Sequence, residues 1–296
     1  MHSNPESVRA RTAALYPLLF VALWSTGFIG AKFGLPYAEP LTFLSLRYAI
    51  VLVLMGALAW YQKATWPPTA REWLHIGVSG VLVHGMYLGG VFIAIGHGLP
   101  AGIAAIVVGL QPVLTALGAG LLLGERVRPT QWAGLALGFV GVALVVAHKI
   151  AANTSGGMVL SMLLPVGIAL LAITAGTLYQ KRFCPSFDLR TGSVIQFLPT
   201  LALTGLAAMA TETMVVQWTP SFMFALGWLV LVLSLGAVTL LNVLIRNGSA
   251  VNVASLFYLV PPATAVVAWA LFGETLTGLA LLGMVFTVLG VWLARK

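Results

Sequence analysis

Residues 105–125 read AIVVGLQPVLTALGAGLLLGE, and residues 254–274 read ASLFYLVPPATAVVAWALFGE. The second stretch follows the first at an offset of 149 positions, and at that offset the two align without a gap. Ala105 falls on Ala254, Leu110 on Leu259, Pro112 on Pro261, Thr115-Ala116 on Thr264-Ala265, and Gly124-Glu125 on Gly273-Glu274. Working outward, the same offset puts Gly134 on Gly283, Gly141-Val142 on Gly290-Val291, Gly27 on Gly176 and Lys32 on Lys181. Apolar sequences match one another by chance, but a matched proline and a matched Gly-Glu pair are not generic hydrophobic identities. The chain reads as one unit written twice. The match is good late in each half and weak in the second and third apolar runs.

Composition sets the solvent. Of 296 residues, 60% are hydrophobic and 7% charged, where a soluble domain carries about 25% charged residues. So few charges leave lipid as the covering medium, and in lipid only helices or closed barrels satisfy the backbone. The apolar runs are long and continuous rather than alternating, so helices are expected. Candidate spans are 13–33, 41–61, 73–95, 101–123, 131–148, 160–181, 191–210, 222–245, 251–272 and 278–294. The breaks carry loop chemistry at Pro36, Pro40, Pro67-Pro68, Pro100, Pro129, Asn153 to Gly157, Pro185 and Pro220. Arg9 and Arg11 before the run from Leu15 to Ile29 resemble the opening of a signal peptide. No small-residue cleavage site follows, so this run is expected to be a retained first helix.

The expected fold is therefore all-α and integral to the membrane, with ten transmembrane helices in two five-helix repeats. Residues 1–12 form a tail, 13–148 the first repeat, 149–159 a linker and 160–294 the second repeat. With the N-terminus inside, twelve Lys and Arg fall on inner segments; Lys32 and Lys149 fall outside and Arg47 within a span. That bias places both termini in the cytoplasm and the protein in the plasma (inner) membrane, and it accounts for the net charge of +8 without invoking nucleic acid. Five is odd, so the second half enters from the opposite side. Inverted repeats of this kind belong to secondary transporters, where two near-equivalent arrangements support alternating access.

Short motifs extend the reading. Leu-Leu-Leu-Gly-Glu ends the fourth span and Leu-Phe-Gly-Glu the ninth. Pro112 and Pro261 precede them, and glycine-rich helices follow at Gly134, Gly138 and Gly141 and at Gly283 and Gly290. With Trp24, Ser25 and Phe28 of the first span and Arg47 of the second, the whole chain resembles the EamA-type branch of the drug/metabolite transporter superfamily, its aromatic amino acid and methyl viologen exporters most of all. The Asn often found early in that family's third helix has no counterpart here. The resemblance implies ten helices, inverted halves and export of small metabolites.

Polar groups within spans are costly in lipid and are functional candidates by default. For substrate binding these are Trp24, Ser25, Phe28, His84, Tyr87, Gln111, Tyr179, Asn242 and Tyr258, with a site expected near Trp24, His84, Tyr87 and Tyr258. His84 is either a substrate or proton contact or a hydrogen-bonded interior histidine. Pro112 and Pro261 each remove a mid-helix hydrogen bond and are candidate hinges or packing kinks. Glu125 and Glu274, at helix C-termini where a carboxylate opposes the dipole, need a compensating contact and are assigned to gating or structure. Arg47 either snorkels outward or makes an ion pair or anion contact near an outer gate. Trp60, Trp66, Trp73, Trp132, Trp218 and Trp292 read as interfacial belt. Gly134 with Gly138 permits close helix approach.

No acidic residue falls mid-span, so no carboxylate proton relay is expected. There is no phosphate-binding Gly-rich loop, no metal-ligand spacing and no nucleophile motif, so no cofactor, metal or enzymatic activity is expected. Cys184 is alone and forms no internal disulfide. The expected partners are membrane lipid and a small-molecule substrate, with aromatic or hydrophobic amino acids first among the cargoes. Another cargo (a nucleotide sugar, a lipid or a cationic drug) and a non-transport scaffold or enzyme are the alternatives. The sequence leaves oligomeric state open.

Overall fold

The computed structural model describes residues 5–99, 101–151, 160–184, 186–272 and 276–296. Glu274 and most of the expected linker lie outside the described residues, as do the side chains of Phe28 and Lys32. The helices are α1 (Pro5–Gly34), α2 (Pro40–Tyr61), α3 (Ala70–Gly80), α4 (Tyr87–Gly96), α5 (Ala101–Val108), α6 (Gln111–Leu123), α7 (Pro129–Ala151), α8 (Leu160–Phe183), α9 (Leu189–Thr211), α10 (Pro220–Trp228), α11 (Val238–Asn247), α12 (Ala250–Ser255), α13 (Val260–Phe272) and α14 (Gly278–Ala294). Helix α3 runs into α4 through a π-helical segment, Val81–Met86, and α10 into α11 through another, Leu229–Ala237. Among the described residues the only strand-like pairing is an isolated bridge between Ala38 and Val216.

Among the described residues, seven runs are long and apolar enough to cross a membrane: Pro40–Tyr61, Ala70–Gly96, Ile106–Leu123, Leu163–Phe183, Leu189–Thr211, Pro220–Asn247 and Ala250–Val267. Three shorter apolar helical stretches are Leu15–Gly27, Pro129–Val145 and Gly278–Ala294. Large apolar side chains cover the outside, Leu121 at 88% exposure and Val53 at 69% among them. Water would not tolerate such a surface; hydrocarbon does. Of the belt tryptophans, Trp60, Trp66, Trp73, Trp132, Trp218 and Trp292 are all exposed.

Pro40, Pro129 and Pro220 are each the first residue of a helix. There the missing N–H costs nothing and the fixed φ suits the first turn. Thr69, Asp188, Thr219, Ser249 and Thr277 cap the helices that follow them through side-chain oxygens. Helix α1 begins at Pro5, so part of the expected tail is helical. One expectation needs correction. Pro112 and Pro261 do not kink a continuous helix: α5 stops at Val108 and α6 restarts at Gln111, while a 3-10 turn, Leu256–Leu259, separates α12 from α13. Both prolines thus stand in the first turn of a new helix, where the backbone hydrogen bond they delete is absent anyway.

The halves touch in exchanged pairs. A methyl group on Gly134 would meet the backbone of Gly290, and one on Gly283 would meet that of Gly141. These are the positions that the 149-residue offset equates, so α7 and α14 run antiparallel with their glycines facing. Helix α8 packs on Val81–Met86 as α1 packs on Leu229–Ala237: Gly176 lies against Leu82 and Val83, Gly27 and Gly30 against Leu233 and Leu229. The offset carries residues 81–86 onto 230–235, inside the second π-helical segment. Tyr48 and Phe197, also equivalent, pack directly on each other, their rings tilted by 42° with centroids 5.4 Å apart.

Candidate functional site

Helices α1, α2 and α4 and the segment Leu229–Ala237 enclose a cavity of about 40 Å³. Trp24, Arg47 and Tyr87 supply its polar groups; Leu88, Val91, Phe92 and Leu233 supply much of its apolar wall. Arg47 is buried to 4% exposure and donates from Nε to the Ser234 hydroxyl at 2.9 Å. The Trp24 indole N–H lies beside the Tyr87 hydroxyl. Phe20 and Phe257 hold the indole, at 5.1 and 5.5 Å between ring centroids. Of the residues expected at a substrate site, Trp24 and Tyr87 are thus brought together, and Arg47, expected at a gate, joins them.

Others fall into a buried polar chain that runs through the second half and reaches the first at Ser79. Gln180 donates to Asn242 (2.9 Å), Asn242 to Gln196 (3.4 Å), and Gln196 to Ser79 (3.1 Å). All four are buried. Gln196 is the offset equivalent of Arg47. His84 stacks on Phe197 at 4.5 Å, and Tyr48 donates to the His84 carbonyl at 2.7 Å. Neither His84 ring nitrogen has a partner of good geometry, though the Gln196 amide is near. Asn242 and Gln180 also line a cavity of about 170 Å³ with Lys181 and Arg246. Next to it a wider opening of about 550 Å³ takes in Met55, Gln62, Arg190 and Arg246.

Four candidates lie elsewhere. Tyr258 packs on Gly138 of α7 and its hydroxyl is unpaired. Tyr179 shares a 2.6 Å hydrogen bond with His75. The Gln111 amide is buried without a partner. Ser25 donates to the Val21 carbonyl at 2.5 Å, and its own carbonyl accepts from Thr264 at 3.1 Å, a tie between α1 and α13. Glu125 does find a compensating contact: it accepts the Ala250 N–H at 3.2 Å, at the N-terminus of α12 in the other half, where the helix dipole favours a carboxylate. Lys181 donates to the carbonyls of Ile245, Arg246 and Gly248 at the end of α11.

Outside the spans, carboxylates lace the ends of α2 and α9. Glu212 accepts the Leu41 and Thr42 N–H groups, each at 2.7 Å, and Glu39 accepts the Thr213 N–H and hydroxyl at 2.7 and 2.6 Å. The Thr213 hydroxyl holds the Glu39 carboxyl below its ordinary range. At the other end Arg190 bonds Asp188, lowering its pKa, and donates to Gln62 at 2.5 Å. Burial pushes the Cys184 thiol up to about 11, which keeps it protonated and unreactive. Sequence reasoning missed Ser79, Gln180, Ser234 and Glu212. A glutamine inside an apolar run, just before Lys181, was a readable signal for Gln180; the serines carried none.

Fold and cavity together define a polytopic helical membrane protein with a polar site between two like halves. The sequence model of the EamA-like transporter family matches residues 11–147 and again 160–295, and the chain belongs to that family. It is 30% identical over 295 residues to the uncharacterized transporter YvbV of Bacillus subtilis, covering 97% of this chain and 92% of that one. It is 27% identical over 285 residues to the uncharacterized inner membrane transporter YedA of Escherichia coli K12, covering 95% and 90%. It is 27% identical over 298 residues to a probable amino-acid metabolite efflux pump of Salmonella typhimurium, covering 96% and 95%. A solved crystal structure superimposes with a TM-score of 0.78 at 20% identity, covering 96% of this chain and 97% of that one, which shows the shared fold.

Proposed function

We propose that this protein exports small amphipathic metabolites, aromatic or other hydrophobic amino acids first among them, across the inner membrane by alternating access. In this reading the three shorter apolar helices complete ten spans, the halves are inverted, and both termini are cytoplasmic. One observation carries it: Trp24, Arg47 and Tyr87 of the first half close on one cavity with Leu233 of the second, whose neighbour Ser234 holds Arg47. A site shared by two halves changes shape when they rock, which a site within one half would not. The names of the relatives, transporters and amino-acid metabolite efflux pumps, support the same direction of transport. With the termini inside, the openings at Gln180 and Arg190 face the cytoplasm and the Arg47 cavity faces outward. Between the two sits the polar chain from Gln180 to Ser79.

The test is flux from proteoliposomes loaded with phenylalanine, tyrosine, tryptophan or leucine. Saturable flux is expected, reduced about tenfold by Trp24→Ala, which removes an aromatic wall contact of some 1.4 kcal/mol. Absence of flux for every amino acid, or flux indifferent to Trp24→Ala, defeats the reading.

A further inference from the structure

Among the described residues, the cavity between the halves holds a cation with no anion. Arg47 is buried, and a guanidinium stays protonated in a protein. Of its five N–H donors, one has a partner among the described residues, the Ser234 hydroxyl. Among the described residues no carboxylate reaches it. Glu39 and Glu212 are engaged at the end of α2, Glu72 at the start of α3, Glu125 on α12 and Asp188 on Arg190. Burying an unpaired charge is among the costliest arrangements a protein makes, and such charges are normally paired. Here the missing partner has a place to sit, because Arg47 lines the cavity.

The remaining polar groups narrow the partner's chemistry. The Trp24 indole is a donor only, and the Ser234 and Tyr87 hydroxyls can donate. No described acidic residue lines the cavity, so an ammonium group would find no counter-charge among these groups. A planar anion would find a guanidinium that fits it with two parallel hydrogen bonds. The rest of the wall, Leu88, Phe92 and Leu233, is apolar. A bare inorganic anion leaves that wall unused, and a phosphate dianion brings more charge than one arginine balances. At about 40 Å³ the cavity is head-group sized, and its apolar wall continues along Val91 and Ile95 towards the end of α4.

We propose that Arg47, oriented by Ser234, binds the carboxylate of the cargo, whose apolar body lies against Trp24, Tyr87 and Phe92. This deepens the transport reading and rests on it for physiological meaning. It also shifts the emphasis: the carboxylate, not the amine, is the recognised group, so organic acids that lack an amine belong to the same class of ligand.

Thermal shift on the detergent-purified protein, with 3-phenylpropionate and its uncharged amide, tests this. The acid should raise Tm saturably, with the amide binding about tenfold or more weakly, as loss of a charge-assisted pair requires. Arg47→Gln should abolish the effect of the acid. Without ligand it should melt no lower than wild type, because it deletes an unpaired buried charge. Ser234→Ala keeps the cation and loosens its aim, so it should weaken the acid about threefold to tenfold. It serves as the second variant if Arg47→Gln does not fold. Equal shifts with acid and amide, no shift with the acid, or an acid shift that survives both substitutions overturns the anchor. Flux is read separately. Amino-acid flux without acid–amide discrimination sinks the anchor alone. Arg47-dependent binding without flux of the acid or of any amino acid sinks the transport reading alone.

Discussion

Along α7 and α14 the two halves meet backbone to backbone, glycine against glycine. Around α2, α9 and the two π-helical segments they meet through side chains: Arg47 to Ser234, Gln196 to Ser79, Tyr48 onto Phe197. The first contact leaves no room between backbones: a methyl on Gly134, Gly141, Gly283 or Gly290 would run into the facing helix. In the second, polar pairs that can exchange partners lie beside helix that has already left regular α geometry. π-helical turns concentrate at functional positions because the widened turn leaves backbone groups to be satisfied from outside. Tyr48 does this for the His84 carbonyl. The contrast separates a fixed seam from an adjustable one within a single interface.

Filling the seam should produce the largest effect. In Gly290→Val the new Cβ is forced onto the backbone of Gly138, which cannot give way as a side-chain tip can. A loss of about 3 kcal/mol is expected, read as a drop in Tm or in monodisperse yield. Gly56→Ala is the control: nothing lies within 4 Å of its added methyl, and alanine in a helix gains up to about 1 kcal/mol over glycine. If both substitutions behaved alike, the seam would not be the rigid contact described.

On the adjustable side, Asn242→Leu strands the Gln180 amide and the Gln196 carbonyl inside the protein. The expected cost is about 1–3 kcal/mol in Tm-derived stability, smaller than for Gly290→Val. A larger cost would make the polar chain the principal structural contact and reverse the comparison.

Much of the seam was legible. The offset equated Gly134 with Gly283 and Gly141 with Gly290, and small residues at that spacing invite close approach. What it did not announce was that each glycine packs on the equivalent of the other. In the second and third runs the sequence match is weak, yet the structure repeats there as well. Arg47 and Gln196 are equivalent and chemically unlike, and the π-helical segments coincide although VLVHGM and VLVLSL read as ordinary apolar helix. Hydrophobic pattern records which residues meet lipid and says little about hydrogen-bond register. Tyr258 illustrates the same limit: an aromatic in a span is equally a cavity wall or a filler, and its place against Gly138 of α7 is not written in the pattern.

The smallest effect concerns the exposed lacing of α2 to α9. The folded state lowers the Glu39 pKa, so its contribution to stability is complete above the ordinary value of 4.5 and is lost as pH falls through the lowered value. A melting series from neutral to strongly acid pH should show a shallow decline there that Glu39→Gln removes. An unchanged profile in that variant would mean that Glu212, bound to the N–H groups of Leu41 and Thr42, secures this end alone.

The glycine seam also bears on how the protein comes to be assembled. Helix α7 leaves the ribosome long before α14 exists, and until then its glycine face has only lipid for a neighbour. Contacts between residues so far apart in sequence form late, so the first half must persist in the bilayer with a docking stripe open to any other small-residue helix. A newly made chain is therefore most exposed to mispairing with foreign helices in the interval before α14 arrives.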